Sequence, residues 1–205
     1  MENTPSLTQL ANLHRTDKGT EHYEAHGYTE IYDHYIPPKG NYTLLEIGIW
    51  HGDSMRMWKQ YNPEMNLHAI DIDPRVTNHI SPEEFNIHIG DQTDEKFLED
   101  VVKLTGPLDF VIDDGSHVGD HIVKSFEILW KHVKPGGYYF IEDLHAGQAD
   151  AMNTIKKIKD FSKNESPSDY PFLMAKVIGP STLSLSHKLM IIKKEDEPNS
   201  SNNQQ

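Results

Sequence analysis

The sequence predicts an α/β fold: a mainly parallel sheet of seven strands, helices on both faces, and an antiparallel hairpin at the C-terminal end. Three observations predict it. From about residue 41 onward, short apolar runs alternate with helical stretches, and that alternation builds a parallel sheet covered on both sides. The runs repeatedly end in a glycine or in acids, as in "LLEIG", "HAIDID", "DFVIDD" and "YYFIED". The last two apolar runs, "STLSLSH" and "KLMIIKK", have no helix between them and read as two strands paired around a tight turn.

Each element has its own signal. The N-terminal "SLTQLANLH" is helical. After the loop "RTDKGTEHYEAHG" comes "YTEIYDHYI", with Ile31, Tyr32, Tyr35 and Ile36 at helical spacing, stopped by "PPKGN". "YTLLEIG" is a short strand, "DSMRMWKQY" a helix, and "NLHAIDID" and "FNIHIGD" are strands. "DEKFLEDVVKL" is a helix with Thr93 as its N-cap and Gly106 as its stop. "LDFVIDD" is a strand, "HIVKSFEILWKHV" a helix ended by "KPGG", "YYFIED" a strand, and "ADAMNTIKKIKDF" a helix. Residues 1–40 thus form a helical cap or lid segment, 41–193 the main domain, and the polar 194–205 a disordered tail.

The totals narrow the function. The 205 residues suffice for one domain with a real core. The formal charge of −13 repels phosphate backbones, so nucleic acid is not an expected partner. No apolar run approaches the roughly 20 residues of a membrane span, so no membrane association is expected. The start "MENTPSLTQL" lacks a basic region followed by an apolar stretch. With no cysteine in the chain, disulfides, zinc–thiolate sites and thiol nucleophiles are excluded, and a cytoplasmic location is expected.

In sheets of this kind, ligands sit beyond the carboxyl ends of the strands. The first strand end reads "LLEIGIWHGDS": Glu46, then Gly48 and Gly52, then Asp53 and Ser54 opening a helix. Glycines let backbone approach a ligand, and a helix N-terminus offers free N–H groups. Asp71 follows Gly52 by about 20 residues, the offset at which an acid meets ribose hydroxyls. Asp73 competes for that role but more naturally starts the turn with Pro74. A third strand end supplies Asp91 and Gln92 to an adenine edge. The loop alone is a weak signal, with Trp50 where a middle glycine often stands; the run of strand ends is much more specific.

The two acid pairs carry the chemistry. "DFVIDDGSH" and "YYFIED" are joined by a helix of crossover length, so their strands are parallel neighbours with ends roughly 5 Å apart. Asp113 or Asp114 then approaches Glu142 and Asp143. Carboxylates so close are protonated or share a cation, and an all-oxygen cluster selects a hard ion, Mg2+ most naturally, with Mn2+ or Ca2+ open. His117, in the loop beyond, is a candidate base; the alternative is a turn in which Asp114 and Ser116 cap backbone.

Together these segments resemble class I S-adenosylmethionine-dependent methyltransferases, and more closely the metal-dependent sugar O-methyltransferases of the macrocin and mycinamicin type, whose domain cephalosporin hydroxylase-like proteins share. The resemblance covers about residues 13–193 and is most specific in "VIDDGSH", "KPGGYYFIEDL" and "TDKGTEH…HGYTEIYDHY". It implies a Rossmann-like methyltransferase fold, S-adenosylmethionine, and Mg2+ (or Mn2+) on Asp114, Glu142 and Asp143, with His117 as the base. The implied cofactor positions are Glu46, Gly48, Asp71 and Asp91, with Gly52, Ser54, Gln92 and Asp113 on the same edge. Asp17, Lys18, His26 and Tyr28 are candidates for a lid or substrate contact, and His145 is close enough behind Asp143 to reach the site.

The expected partner is a small hydroxyl-bearing, sugar-like acceptor bound through two neighbouring oxygens, with a homo-oligomer possible. Only the short N-terminal part and Leu144–Pro171 remain to shape its pocket. That leaves the acceptor open between a macrolide-borne sugar and a simpler sugar, nucleotide sugar or polyol. A nicotinamide-dependent dehydrogenase would explain the glycines and Asp71 but not the acid pairs. A metal-dependent hydrolase would explain the acids and leave the ribose constellation idle. A noncatalytic nucleoside-binding protein would leave the acid pairs without a purpose.

Overall fold

The computed structural model describes residues 5–22, 24–80, 84–144, 149–165, 172–176 and 188–195. Five strands run parallel: β1 (Thr43–Ile47), β2 (Asn66–Asp71), β3 (Asn86–Ile89), β4 (Leu108–Asp113) and β5 (Val133–Ile141). Two more, β6 (Phe172–Lys176) and β7 (Lys188–Lys193), join antiparallel, giving the order β3-β2-β1-β4-β5-β7-β6. The antiparallel end was expected, but its composition differs. The strand beside β7 is β6, from "FLMAK", whereas the expected partner "STLSLSH" lies outside the described residues.

Period-two alternation splits the strands between two cores. Leu44, Phe110, Ile112, Phe140 and Ile191 face one side, with Met55, Met57 and Trp58 of α3 (Asp53–Tyr61). Leu45, Val111, Tyr139, Ile141 and Ile192 face the other. There they meet Leu98 and Val101 of α4 (Glu95–Thr105), Ile122 and Phe126 of α5 (Gly119–Leu129), and Ile158 of α6 (Ala149–Glu165). The first core also takes in the N-terminal segment. Leu7 and Leu10 of α1 (Leu7–His14), Tyr32 of α2 (Thr29–Tyr32), Tyr28 and Ile36 are all buried in it. Ser6 starts α1 with a capping box to Gln9.

Local differences from the sequence reading have local causes. The helix expected over 28–36 is a single turn continued by tighter turns, since Pro37 forbids regular helix just before it. The N-cap of α4 is Asp94, whose carboxylate accepts from Phe97 N–H; Thr93 instead donates its N–H and hydroxyl to Asp91. Gly106 ends α4 as expected. "KPGG" lies inside β5 rather than before it, and the β4–β5 register slips between Leu108 and Phe110, the irregularity that accommodates Pro135. The tail beyond residue 195 and His145 lie outside the described residues. Among the described residues no helix is long and apolar enough to cross a membrane.

Candidate active site

A cleft of about 810 Å3 opens at the carboxyl ends of β1, β2 and β4. One wall is the loop after β1, from Gly48 to Ser54, with Asp71, Asp91 and Gln92 from the ends of β2 and β3. The other is Asp114–His117 after β4 and Asp143 after β5, with Arg15–Lys18 crossing from the N-terminal segment. Four non-glycine residues among those described have positive φ: Arg15 (63°), Trp50 (45°), His117 (55°) and Asp143 (56°). All four line this cleft. Such backbone costs about 1–3 kcal/mol per residue and collects where function requires it.

On the glycine side, Gly48 (φ 81°) allows β1 and β4 to close together, since a Cβ there would lie 2.1 Å from the carbonyl oxygen of Asp114. Gly52 starts α3 in the left-handed region, its Cα against Ile80 rather than facing the cleft. The Asp71 carboxylate braces this loop. Oδ2 accepts from the N–H groups of Ile49 (3.1 Å) and Trp50 (3.3 Å), and Oδ1 from Asp73 N–H (2.9 Å). A carboxylate has about four acceptor positions, so the brace leaves one open toward the cleft. Asp73 caps the turn at Pro74, as its place in the sequence predicts. The Gln92 amide is engaged inside the fold, donating to Asp113 and accepting from Ser116 N–H.

Three expected cofactor or metal acids lie beneath the cleft floor instead of lining it. Glu46 is fully buried and accepts from Trp58 Nε1 at 3.0 Å. Asp113 is buried under Gln92, Ser125 and Tyr139, all donating to it. Glu142, 1% exposed, accepts from the Tyr32 hydroxyl at 2.5 Å and from Lys18 at 2.9 Å. Burial pushes all three carboxyls above their usual range, against the opposing pull of these donors.

Lys18 corrects the expected arrangement. Its ammonium, 1% exposed, sits 2.5 Å from Asp114 Oδ2, 2.9 Å from Glu142 Oε2 and 3.5 Å from Glu46 Oε1. Burial alone would lower its pKa; the three carboxylates outweigh burial and hold it well above the ordinary lysine value. Lys18 is thus a cation that Asp114 and Glu142 share, set in the floor of the cleft. One ammonium does not balance four acids, because Asp143 stands beside them. A second group opens outward: one oxygen each of Asp114 and Asp143 and a ring nitrogen of His117 lie within 4.8 Å of one another. His117 Nε2 is 3.9 Å from Asp114 and 4.0 Å from Asp143. The two carboxylate oxygens are hard donors that suit Mg2+ or Mn2+, with the His117 ring beside them. Glu142 is not in this group.

Of the N-terminal candidates, Asp17 and Lys18 line the cleft, whereas Tyr28 and His26 stand behind it. Tyr28 donates to Asp143 Oδ1 at 2.6 Å, and His26 stacks on the Tyr28 ring. Burial and Asp143 hold the Tyr28 phenol well above its usual pKa, so it remains a donor. Asp17 pairs with His26 at 3.5 Å; this contact and Lys18 outweigh burial and keep its carboxyl below the usual range. The sequence reading passed over Arg15 and Thr16, which also line the cleft, took His121 there as a solvated or packed histidine, and treated Trp50 only as an interruption of the glycine pattern. Trp50 is 76% exposed at the rim. Its place between two positive-φ glycines was the available signal.

Residues 45–144 match a family described as a methyltransferase domain. They form a domain of that family. The curated relatives include mycinamicin VI 2''-O-methyltransferase of Micromonospora griseorubida, 34% identical over 190 residues, covering 80% of this chain and 46% of the relative. Demethylmacrocin O-methyltransferase of Streptomyces fradiae is 37% identical over 150 residues, covering 68% of this chain and 36% of the relative. The chain thus spans less than half the length of these relatives. Among solved structures, the MycE methyltransferase of the mycinamycin pathway, in complex with Mg, SAH and mycinamycin VI, superposes with a TM-score of 0.72 at 26% identity. That match covers 97% of this chain and 57% of MycE. The α/β methyltransferase architecture with its antiparallel end is that of the domain expected from sequence.

Proposed function

We propose that the protein is an S-adenosylmethionine- and divalent-metal-dependent O-methyltransferase acting on a hydroxyl of a small sugar-like acceptor. The observation that carries this reading is the meeting, in one cleft, of the braced glycine loop and the outward group Asp114, His117 and Asp143. The O-methyl transfer to mycinamicin VI and to demethylmacrocin by the protein's relatives supports it. The loop from Gly48 to Ser54 and the Asp71 end of β2 would hold the nucleoside part of the cofactor; Asp114 and Asp143 would hold the ion, with Glu142 fixing Lys18 behind them. When bound, the cofactor supplies the methyl group and the ion acidifies and orients the acceptor hydroxyl.

The chain's own groups do the rest. His117, at the cleft edge with its ring between two carboxylates, takes the proton from the acceptor hydroxyl. Asp114 and Asp143 stabilise the imidazolium that results. The strained backbone at His117 and Asp143 fixes where these groups point, and positioning of this kind accounts for much of the acceleration in a transfer that needs a short, straight approach.

The test is calorimetric titration of S-adenosylhomocysteine with Mg2+ and with EDTA, followed by a screen of diol-bearing sugars for metal-dependent methylation. Saturable binding supports the reading. No binding in either condition removes it, and the acid group then belongs to a metal-dependent hydrolase. His117→Ala should lower turnover by about 10²–10⁴-fold with S-adenosylhomocysteine affinity preserved; undiminished methylation overturns the base assignment.

A further inference from the structure

Asp143 is an unusual place for a carboxylate that must aim at an ion. Its backbone is left-handed, with φ 56°, a conformation that costs a non-glycine residue energy and persists only where its surroundings hold it. Those surroundings come from outside the matched methyltransferase domain. The Tyr28 hydroxyl donates to Asp143 Oδ1 at 2.6 Å and accepts from Asp143 N–H at 3.2 Å. One hydroxyl thus grips both the side chain and the backbone of the same residue. With Oδ1 occupied, Oδ2 is left facing His117 Nε2 at 4.0 Å.

Tyr28 is itself packed on all sides by the core. It is fully buried, its ring stacks on His26 with centroids 5.2 Å apart, and its other edge meets Tyr32 at 6.5 Å. Tyr32 in turn packs edge-on against Phe140 of β5 at 4.9 Å. The clamp is therefore built on the same core as the strand that delivers Asp143.

We propose that Tyr28 is a positioning residue for the metal site, acting through Asp143, and that the N-terminal segment completes that site. This rests on the metal-dependent reading given above. A partner that orients a ligand commonly changes metal affinity by about 10–100-fold when removed. The role leads to a separation between metal and cofactor, because Tyr28 does not touch the glycine loop.

The experiment is a Mn2+ titration of the full chain followed by electron paramagnetic resonance, without cofactor or acceptor, comparing the unaltered protein with Tyr28→Phe, Tyr61→Phe and Asp114→Asn. Tyr61→Phe is the control for a lost buried hydroxyl. Its hydroxyl makes two bonds, to Asp33 and to the Ile36 carbonyl, in the same segment but away from the cleft. Tyr28→Phe should weaken Mn2+ binding by about 10–100-fold, with S-adenosylhomocysteine affinity unchanged, and Tyr61→Phe should leave both intact. Unchanged Mn2+ affinity in Tyr28→Phe, or equal weakening in both tyrosine variants, overturns the positioning role while leaving the metal site standing. If the unaltered protein fails to bind Mn2+, or Asp114→Asn binds it equally well, the metal reading fails and this inference falls with it.

Discussion

Replacing Lys18 by methionine removes the cation on which the cleft floor is built. Methionine keeps an unbranched chain of similar length and fills the same space, so the change is mainly one of charge. Three carboxylates lose their shared partner: Asp114 at 2.5 Å, Glu142 at 2.9 Å and Glu46 at 3.5 Å. Glu46 keeps Trp58 and Glu142 keeps Tyr32, which limits the loss without restoring charge balance. Breaking a buried ion pair from one side costs about 3–5 kcal/mol. For a chain of this size each kcal/mol lowers Tm by about 2–4 °C, so the fall should be roughly 6–20 °C, measured by calorimetry in EDTA at neutral pH.

The pH dependence of the Lys18→Met deficit gives the argument a second edge. Glu46, Glu142 and Asp114 are already held above their ordinary values by burial, and losing Lys18 raises them further. A carboxyl with a raised folded pKa contributes stability that is complete below its unfolded value, near 4.5 for glutamate, and is lost as pH rises through the folded value. The deficit should therefore be small near pH 4 and grow toward pH 8. A Tm within about 2 °C of the unaltered protein, less than 1 kcal/mol, or a deficit independent of pH would refute the buried counter-ion.

Two further changes test the glycine side of the cleft. Gly48→Ala places a Cβ 2.1 Å from the Asp114 carbonyl at a φ of 81°; the left-handed backbone alone costs about 1–2 kcal/mol, so Tm and S-adenosylhomocysteine affinity should both fall, and a variant that keeps both would mean the strands part without cost. Asp71→Asn has no satisfactory flip: one oxygen position receives two N–H groups and the other receives one, so an amide nitrogen faces a donor either way. Hydrogen bonds to a charged group contribute about 1.5–3 kcal/mol, and urea unfolding should show a loss of that order together with weaker S-adenosylhomocysteine binding; unchanged stability would show that the loop holds itself.

Strands, helices and their order were legible because period-two and helical spacing are local properties, written within a few residues of each other. The ligand edge was legible for a topological reason, since parallel strands gather their carboxyl ends on one side. What stayed hidden was the direction of individual side chains. The strand pleat reaches only to Asp113 and Ile141, where β4 and β5 end, and the turns that follow send one acid of each pair inward and the other outward. Asp113 and Glu142 are the inward members, Asp114 and Asp143 the outward ones. The pairs were read as one cluster of acids, when each pair is divided between a structural layer and an open one.

The same division explains why the divalent-ion group could be read from the sequence but the lysine behind it could not. Four carboxylates at adjacent strand ends require positive charge, and that requirement could be read from residues 113–143. Part of that charge comes from Lys18, nearly a hundred residues earlier in the chain, whose "TDKG" context looks like an exposed turn until that turn packs against the sheet. The ammonium, bonded to Glu142 and Asp114 and 3.5 Å from Glu46, leaves Asp114 and Asp143 each with an oxygen on the cleft side, next to His117. A divalent ion in that outer group would not have to overcome the desolvation of the two buried glutamates, because Lys18 already does so. The inner lysine and the outer acids are thus two layers of one electrostatic design. Removing the lysine should damage the fold first, and removing the Tyr28 hydroxyl should damage the metal site first.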